Sequence, residues 1–91
     1  MSISDSVNLD VFKQMPPLEA KAALDNIIEQ DPKNEEAYIL RGRKQWSLNN
    51  RREAINDYLK ALQINPESKA RMLLDQANAI LAYYSKDLLN P

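Results

Sequence analysis

Apolar residues recur every three or four positions along most of this chain, which is the spacing of one buried stripe on an α-helix. The pattern is clearest in two series: Ala20, Ala23, Leu24, Ile27 and Ile28, and later Ala54, Ile55, Tyr58, Ala61 and Leu62. Each series covers more than two helical turns on a single face. The hydrophobic pattern therefore predicts an all-α fold built from amphipathic helices.

Proline and its polar neighbours divide this pattern into five predicted helices. They are expected over about residues 4–14, 17–30, 33–48, 51–64 and 66–85. Proline cannot continue a helix, but it suits the first helical turn. We expect Asp31-Pro32 and Asn65-Pro66 to begin the third and fifth helices, because Asp and Asn side chains accept free N–H groups there. The short connections predict that neighbouring helices run antiparallel.

A fixed spacing links two parts of the chain. Glu19-Ala20 and Glu53-Ala54 stand 34 residues apart, and so do Pro32 and Pro66. A period of this length is typical of a repeat built from one helix–turn–helix unit. We expect a single domain over residues 1–91, with a degenerate repeat in 1–34, a clear repeat in 35–68, and a capping helix and tail in 69–91.

Residues 35–68 resemble a tetratricopeptide repeat. The positions that match the family pattern of aromatic, glycine, alanine and proline residues are Tyr38, Gly42, Ala54, Tyr58, Ala61 and Pro66. Two positions depart from it, since Arg41 stands where Leu is usual and Gln45 where Tyr is usual. The resemblance implies a helical array of two repeats and a capping helix, with Gly42 at a close helix crossing. The whole chain also resembles small free-standing repeat proteins of some bacteria.

The resemblance implies a function in protein–protein interaction, because in this family the first helix of each repeat lines a concave groove that binds peptides. Carried over by position, the groove residues are Leu9, Phe12, Glu36, Ile39, Arg43, Trp46, Leu73, Ala77 and Ile80. One subclass clamps a C-terminal carboxylate with Lys, Asn and Arg. The matching positions here are Asp5, Leu9, Leu40, Ala70 and Leu74, so that clamp is absent. A mostly apolar groove favours an apolar helix or extended peptide of a partner.

Two features leave alternatives open. Trp46 is either a binding hot spot in the groove or a core residue between the third and fifth helices. The last helix carries more apolar residues than one covered face needs, whereas a capping helix normally turns a polar face outward. Its tail folds back over it, or two copies pair through it as a homodimer, or a partner binds there. The homodimer is the main alternative to the binding groove.

The composition argues against catalysis and against metal or cofactor binding. The 91 residues include no Cys and no His, which removes disulfides, thiolate and imidazole catalysis, and Cys/His zinc sites. The acidic pair Glu35-Glu36 lies where the first turn of a surface helix favours negative charge. We therefore expect no enzyme activity, no metal and no cofactor.

Charge and hydropathy set the remaining expectations. The formal net charge of −1 argues against a general binder of nucleic acid or of membrane surfaces. A basic group is interpreted as a solvated helix face, with recognition of an acidic peptide as the alternative: Arg41, Arg43, Lys44, Arg51 and Arg52. The first residues lack the pattern of a signal peptide, and no apolar run approaches the ~20 residues of a membrane span. A cytoplasmic location is expected.

Overall fold

A computed structural model describes residues 9–89, with side chains described as far as Ala82. These residues form five α-helices and no β-strand: α1 (Val11–Gln14), α2 (Pro17–Gln30), α3 (Glu35–Ser47), α4 (Arg51–Ile64) and α5 (Ala70–Leu89). The predicted all-helical fold is confirmed. Part of the predicted first helix (residues 4–14) lies outside the described residues, and Asp5 lies outside them entirely.

The second and fourth helices repeat each other along the chain. Both contain 14 residues. They begin at residues 17 and 51 and end at residues 30 and 64, an offset of 34 residues at each end. Ala20 and Ala54 occupy equivalent positions and are both fully buried. The period in the sequence is thus the period of the helices.

The third helix is the centre of the fold. It packs against α2 and α4, and α4 in turn packs against α5. One apolar core joins α1, α2 and α3 and contains Phe12, Ala20, Leu24, Ala37 and Leu40. A second core joins α3, α4 and α5 and contains Tyr38, Ile39, Ala54, Tyr58, Ala61 and Ala70. Because α3 contributes to both cores, its sequence is apolar on two sides.

The predicted starts of the third and fifth helices were wrong by a few residues. Asp31 and Asn65 end the preceding helices instead, and their N–H groups donate to the carbonyls of Ile27 (2.8 Å) and Ala61 (2.9 Å). The prolines that follow them lie in the turns between helices. Proline cannot donate the hydrogen bond that would continue the earlier helix, so it stops one helix without beginning the next.

Two other polar residues, again 34 positions apart, satisfy the N–H groups where the next helices begin. Asn34 Oδ1 accepts from the Ala37 N–H at 3.1 Å, and α3 follows. Ser68 Oγ accepts from the Ala70 N–H at 3.1 Å, and α5 follows. Such side chains replace the hydrogen bonds that the first turn of a helix lacks.

Replacing Asn34 tests this cap. Asn34→Ala should lower the free energy of unfolding by about 1 kcal/mol, because the acceptor is lost. Among the described residues, Asn34 Nδ2 is the buried side-chain polar atom without a hydrogen-bond partner. Asn34→Ser keeps an acceptor and removes that atom, so it should cost less than about 0.5 kcal/mol. Urea unfolding measures both, and equal losses would contradict the role of Asn34 as a cap.

Arg41 joins three helices through a partly buried charge network. Its Nε and Nη2 donate to Asp57 at 3.0 and 2.7 Å, and its Nη1 donates to Asp25 at 3.0 Å. The guanidinium also lies 5.6 Å from the centre of the Tyr38 ring. The prediction of a solvated basic face is therefore wrong for Arg41, because this side chain links α3 to both α2 and α4.

The electrostatics of this network reflect its burial. Burial raises the pKa of the Asp57 carboxyl, and the hydrogen bonds and positive charge of Arg41 oppose that rise. The hydrogen bond to Asp57 raises the pKa of the Arg41 guanidinium, which burial opposes. The Asp57 carboxylate therefore depends mainly on Arg41 to offset the free-energy cost of being ionised in a buried position.

The last helix continues to Leu89, so the alternative of a tail that folds back is wrong as far as that residue. Two of its large apolar side chains are exposed, Met72 at 65% and Ile80 at 41%. The excess of apolar surface that the sequence indicates on this helix is thus partly uncovered.

Candidate binding groove

The turn between α3 and α4 fixes the position of Trp46. Asn49 has a φ of 67°, a left-handed conformation that ends many helices and that Asn tolerates. Its Oδ1 accepts from Arg51 Nε at 3.0 Å. The Arg51 guanidinium lies 4.4 Å from the centre of the Trp46 ring, within the range of a cation–π contact. The turn thus holds a cation against the indole.

Gln45 shows how the neighbouring departure from the family pattern is accommodated. Its side chain is buried, and its Oε1 accepts from Asn50 Nδ2 at 2.9 Å. The Asn50 N–H also donates to the Gln45 carbonyl at 2.8 Å. Gln45 therefore takes an inward position and fastens the turn, while Trp46 occupies the next position around the helix.

A cavity of about 250 Å³ lies between α3, α4 and α5. We call it the apolar cavity, and its lining residues are Arg43, Trp46, Ser47, Tyr58, Leu73, Gln76, Ala77 and Ile80. Tyr58 and Ala77 are buried, while Ile80 is partly open to solvent. Most of its wall is indole, phenol and aliphatic carbon, with polar groups from α3 and α5 beside it. Such a lining is typical of a site that binds apolar groups.

The polar part of the apolar cavity centres on Arg43. Burial raises the pKa of the Tyr58 hydroxyl, and the positive charge of Arg43 opposes that rise. Arg43 makes no ion pair with any residue that the structure describes. An exposed and uncompensated cation therefore stands beside an apolar surface.

A second cavity, also of about 250 Å³, lies on the α1 side of α3. We call it the cationic cavity, and its lining residues are Lys13, Leu40, Arg43, Lys44 and Ser47. Lys44 Nζ donates to the carbonyls of Lys13 (3.1 Å) and Met15 (3.0 Å), which holds the end of α1 against α3. Arg43 and Ser47 line both cavities.

The structure brings together five of the nine residues predicted for the groove: Arg43, Trp46, Leu73, Ala77 and Ile80. The alternatives for Trp46 turn out to be compatible, because its partly buried ring packs against the second core and also lines the apolar cavity. Sequence reasoning missed Tyr58, Ser47 and Gln76. Ser47 lies one helical turn after Arg43, and this spacing was a signal for it.

The other four predicted residues lie elsewhere. Phe12 and Ile39 are buried in the two cores, so placing them in a groove was wrong for both. Leu9 is half-buried against the core that contains Phe12. Glu36 pairs with Lys69 at 3.3 Å, away from both cavities. The predicted groove was thus too wide, because it included positions that face neighbouring helices.

Within the described residues, no group of three acidic side chains has an arrangement that could hold a metal ion. The same part of the chain contains no helix with the length and apolar character needed to cross a membrane.

Comparison with known proteins gives one match. Residues 35–68 match the family described as Tetratricopeptide repeat, and this segment covers α3, α4 and the turn before α5. No curated protein and no solved structure matches the chain. Repeats of this family generally mediate protein–protein interaction. The chain therefore contains one segment, residues 35–68, that matches a tetratricopeptide repeat.

Proposed function

We propose that this protein binds a peptide or helix of a partner protein through the apolar cavity. The observation that carries the proposal is the placement of Trp46. Trp46 packs against the second core, its ring is in contact with the Arg51 guanidinium, and it lines a cavity together with Leu73 and Ile80. Aromatic side chains in such pockets contribute much of the binding energy at protein interfaces.

The rigidity of this arrangement favours binding. A side chain that is already held in place loses little conformational entropy when a partner binds. Trp46 is held by packing and by Arg51, and Ala77 is buried at the base of the cavity. A partner would therefore need to order mainly its own apolar side chains. Leucine, isoleucine or phenylalanine side chains on one face of a short helix fit this surface.

The test uses peptides of about twelve residues selected from a random phage-displayed library on the wild-type protein. Because Trp46 is the only tryptophan in the chain, its fluorescence reports binding of selected peptides that lack tryptophan. Trp46→Ala should weaken these peptides about 30-fold or more, as expected for a hot spot of about 2 kcal/mol, measured by anisotropy of labelled peptide.

Two further variants separate loss of binding from loss of folding. Ile80→Asn changes a partly exposed residue of the cavity and should weaken binding while circular dichroism and thermal unfolding change little. Leu59→Asn is the matched control, since Leu59 is equally exposed on α4 but lines neither cavity. Equal binding by both variants would refute the proposal.

Self-association through α5 is a second candidate function. It is supported by the exposure of Met72 and Ile80 on one long helix. Sedimentation equilibrium at micromolar concentration separates the two functions, since a strict monomer excludes the second.

We also propose that residues 1–34 are a degenerate repeat and 69–91 a capping segment, which the shared offset of α2 and α4 supports.

A further inference from the structure

The cationic cavity presents positive charge without acidic residues in its lining. Three of its five lining residues are the cations Lys13, Arg43 and Lys44, and the others are Leu40 and Ser47. The charge of the whole chain is slightly negative, so this local excess is not a general property of the protein. A cavity with this lining attracts an anionic group.

The existing contacts of these cations leave most of that charge uncompensated. Lys44 donates to two neutral carbonyls, which fix its position without cancelling its charge. Lys13 pairs with Asp10 at 3.2 Å, but both side chains are more than half exposed, so the pair is weak and screened. Arg43 has no ion-pair partner among the described residues. An incoming carboxylate would therefore meet a positive site in which Lys44 is already held in place.

The two cavities share two lining residues on α3. Arg43 and Ser47 lie one helical turn apart and line both of them. Given the proposed function, on which this inference rests, we infer that the bound segment is amphipathic. Its apolar side chains occupy the apolar cavity, and an aspartate or glutamate side chain enters the cationic cavity and pairs with Arg43.

A carboxylate of a protein segment fits better than a larger polyanion. The apolar cavity next to the site requires a ligand that also carries hydrophobic side chains. Arg43 offers a planar pair of N–H donors, which matches the two oxygens of a carboxylate. This site differs from a C-terminal carboxylate clamp, because the described clamp positions hold no cation: Leu9, Leu40, Ala70 and Leu74.

The experiment compares the selected peptides with and without their acidic residues. Wild-type protein should enrich peptides that carry Asp or Glu beside large apolar residues. Changing that acidic residue to Gln or Asn should weaken binding about tenfold, and so should Arg43→Glu, measured by anisotropy. Arg52→Glu is the matched control, because Arg52 is exposed and lines neither cavity. Raising the salt from about 50 to about 500 mM should weaken the acidic peptides selectively.

The outcomes distinguish this inference from the proposed function. If peptides bind through Trp46 but tolerate both Arg43→Glu and loss of their acidic residue, the inference is overturned and the proposed function stands. If Trp46→Ala and Ile80→Asn leave binding unchanged, the proposed function itself fails. If phosphoserine in place of the acidic residue tightens binding more than about tenfold, the site takes phosphate and the assignment to a carboxylate is overturned.

Discussion

Replacing Arg41 with methionine should lower the free energy of unfolding at neutral pH by about 3 kcal/mol, the cost typical of breaking a buried ion pair from one side. The Asp57 side chain is 6% exposed and the Arg41 side chain 21% exposed. Methionine fills much of the volume of arginine but donates no hydrogen bond. The variant therefore leaves an ionised carboxylate buried without its partner. Removing one partner in this way costs more than replacing both partners with apolar residues.

The loss should depend on pH in a defined direction. Burial already raises the pKa of Asp57, and removing the opposing Arg41 raises it further. A carboxyl with a raised pKa in the folded state contributes stability below its unfolded pKa and loses that contribution as the pH rises through the folded value. The deficit of Arg41→Met relative to wild type should therefore be small near pH 4 and grow toward pH 7. Urea unfolding across this range measures it.

A double variant provides the control. Arg41→Met combined with Asp57→Leu removes both charges, and such apolar replacements are often neutral or stabilising. It should recover most of the lost stability, and its difference from wild type should vary much less with pH. Asp25 also pairs with Lys21 at 3.3 Å, so it should keep an ion-pair partner in either variant. A loss below about 1 kcal/mol in Arg41→Met at neutral pH, with no pH trend, would contradict the network.

The sequence pattern predicted the helices well because their signals are local. The apolar stripe of α2 and α4 and the 34-residue spacing are both visible without any knowledge of tertiary contacts. The start of the third helix was predicted less accurately, since Asp31 and Asn34 are both good capping residues and are only three positions apart. Proline is common in the first turn of a helix, so the sequence alone favours Asp31 over Asn34 as the cap. Proline instead occupies the turn itself.

The ion network was hidden because its members are far apart in sequence. Arg41 and Asp57 are separated by 16 residues, and so are Asp25 and Arg41. No local rule pairs residues at that distance. The position of Arg41, where this family usually has Leu, was the available hint, since an arginine at a buried position needs a carboxylate nearby.

Only some of the residues predicted for the groove line the apolar cavity, and the reason is geometric. An amphipathic stripe covers a wide arc of a helix, and periodicity does not tell which edge faces a neighbouring helix and which faces a cavity. Ile39 was therefore placed in the groove although it lies in the core. Trp46 lies at the boundary between the second core and the apolar cavity, and only the packing around α3 defines its position.

Gly42→Ala should destabilise the protein by about 1–2 kcal/mol, although alanine is the better helix former by about 1 kcal/mol. A Cβ atom at Gly42 would lie 2.6 and 2.9 Å from Tyr58 Cε1 and Cδ1, and 3.2 Å from the Ala54 carbonyl oxygen. The Tyr58 ring is buried, and the carbonyl belongs to the backbone of α4, so neither moves easily. The cost of overpacking therefore exceeds the gain in helix propensity.

A double-mutant cycle identifies the tyrosine ring as the cause. Tyr58→Phe keeps both crowded ring carbons, so Gly42→Ala should cost as much in that background as in wild type. Tyr58→Leu removes the flat ring, and there the cost should fall or change sign, which gives a coupling energy of about 1 kcal/mol. Because Tyr58 also lines the apolar cavity, Gly42→Ala should weaken the selected peptides as well. If Gly42→Ala unfolds at the same or higher urea concentration than wild type, α3 and α4 do not approach as closely as this contact requires.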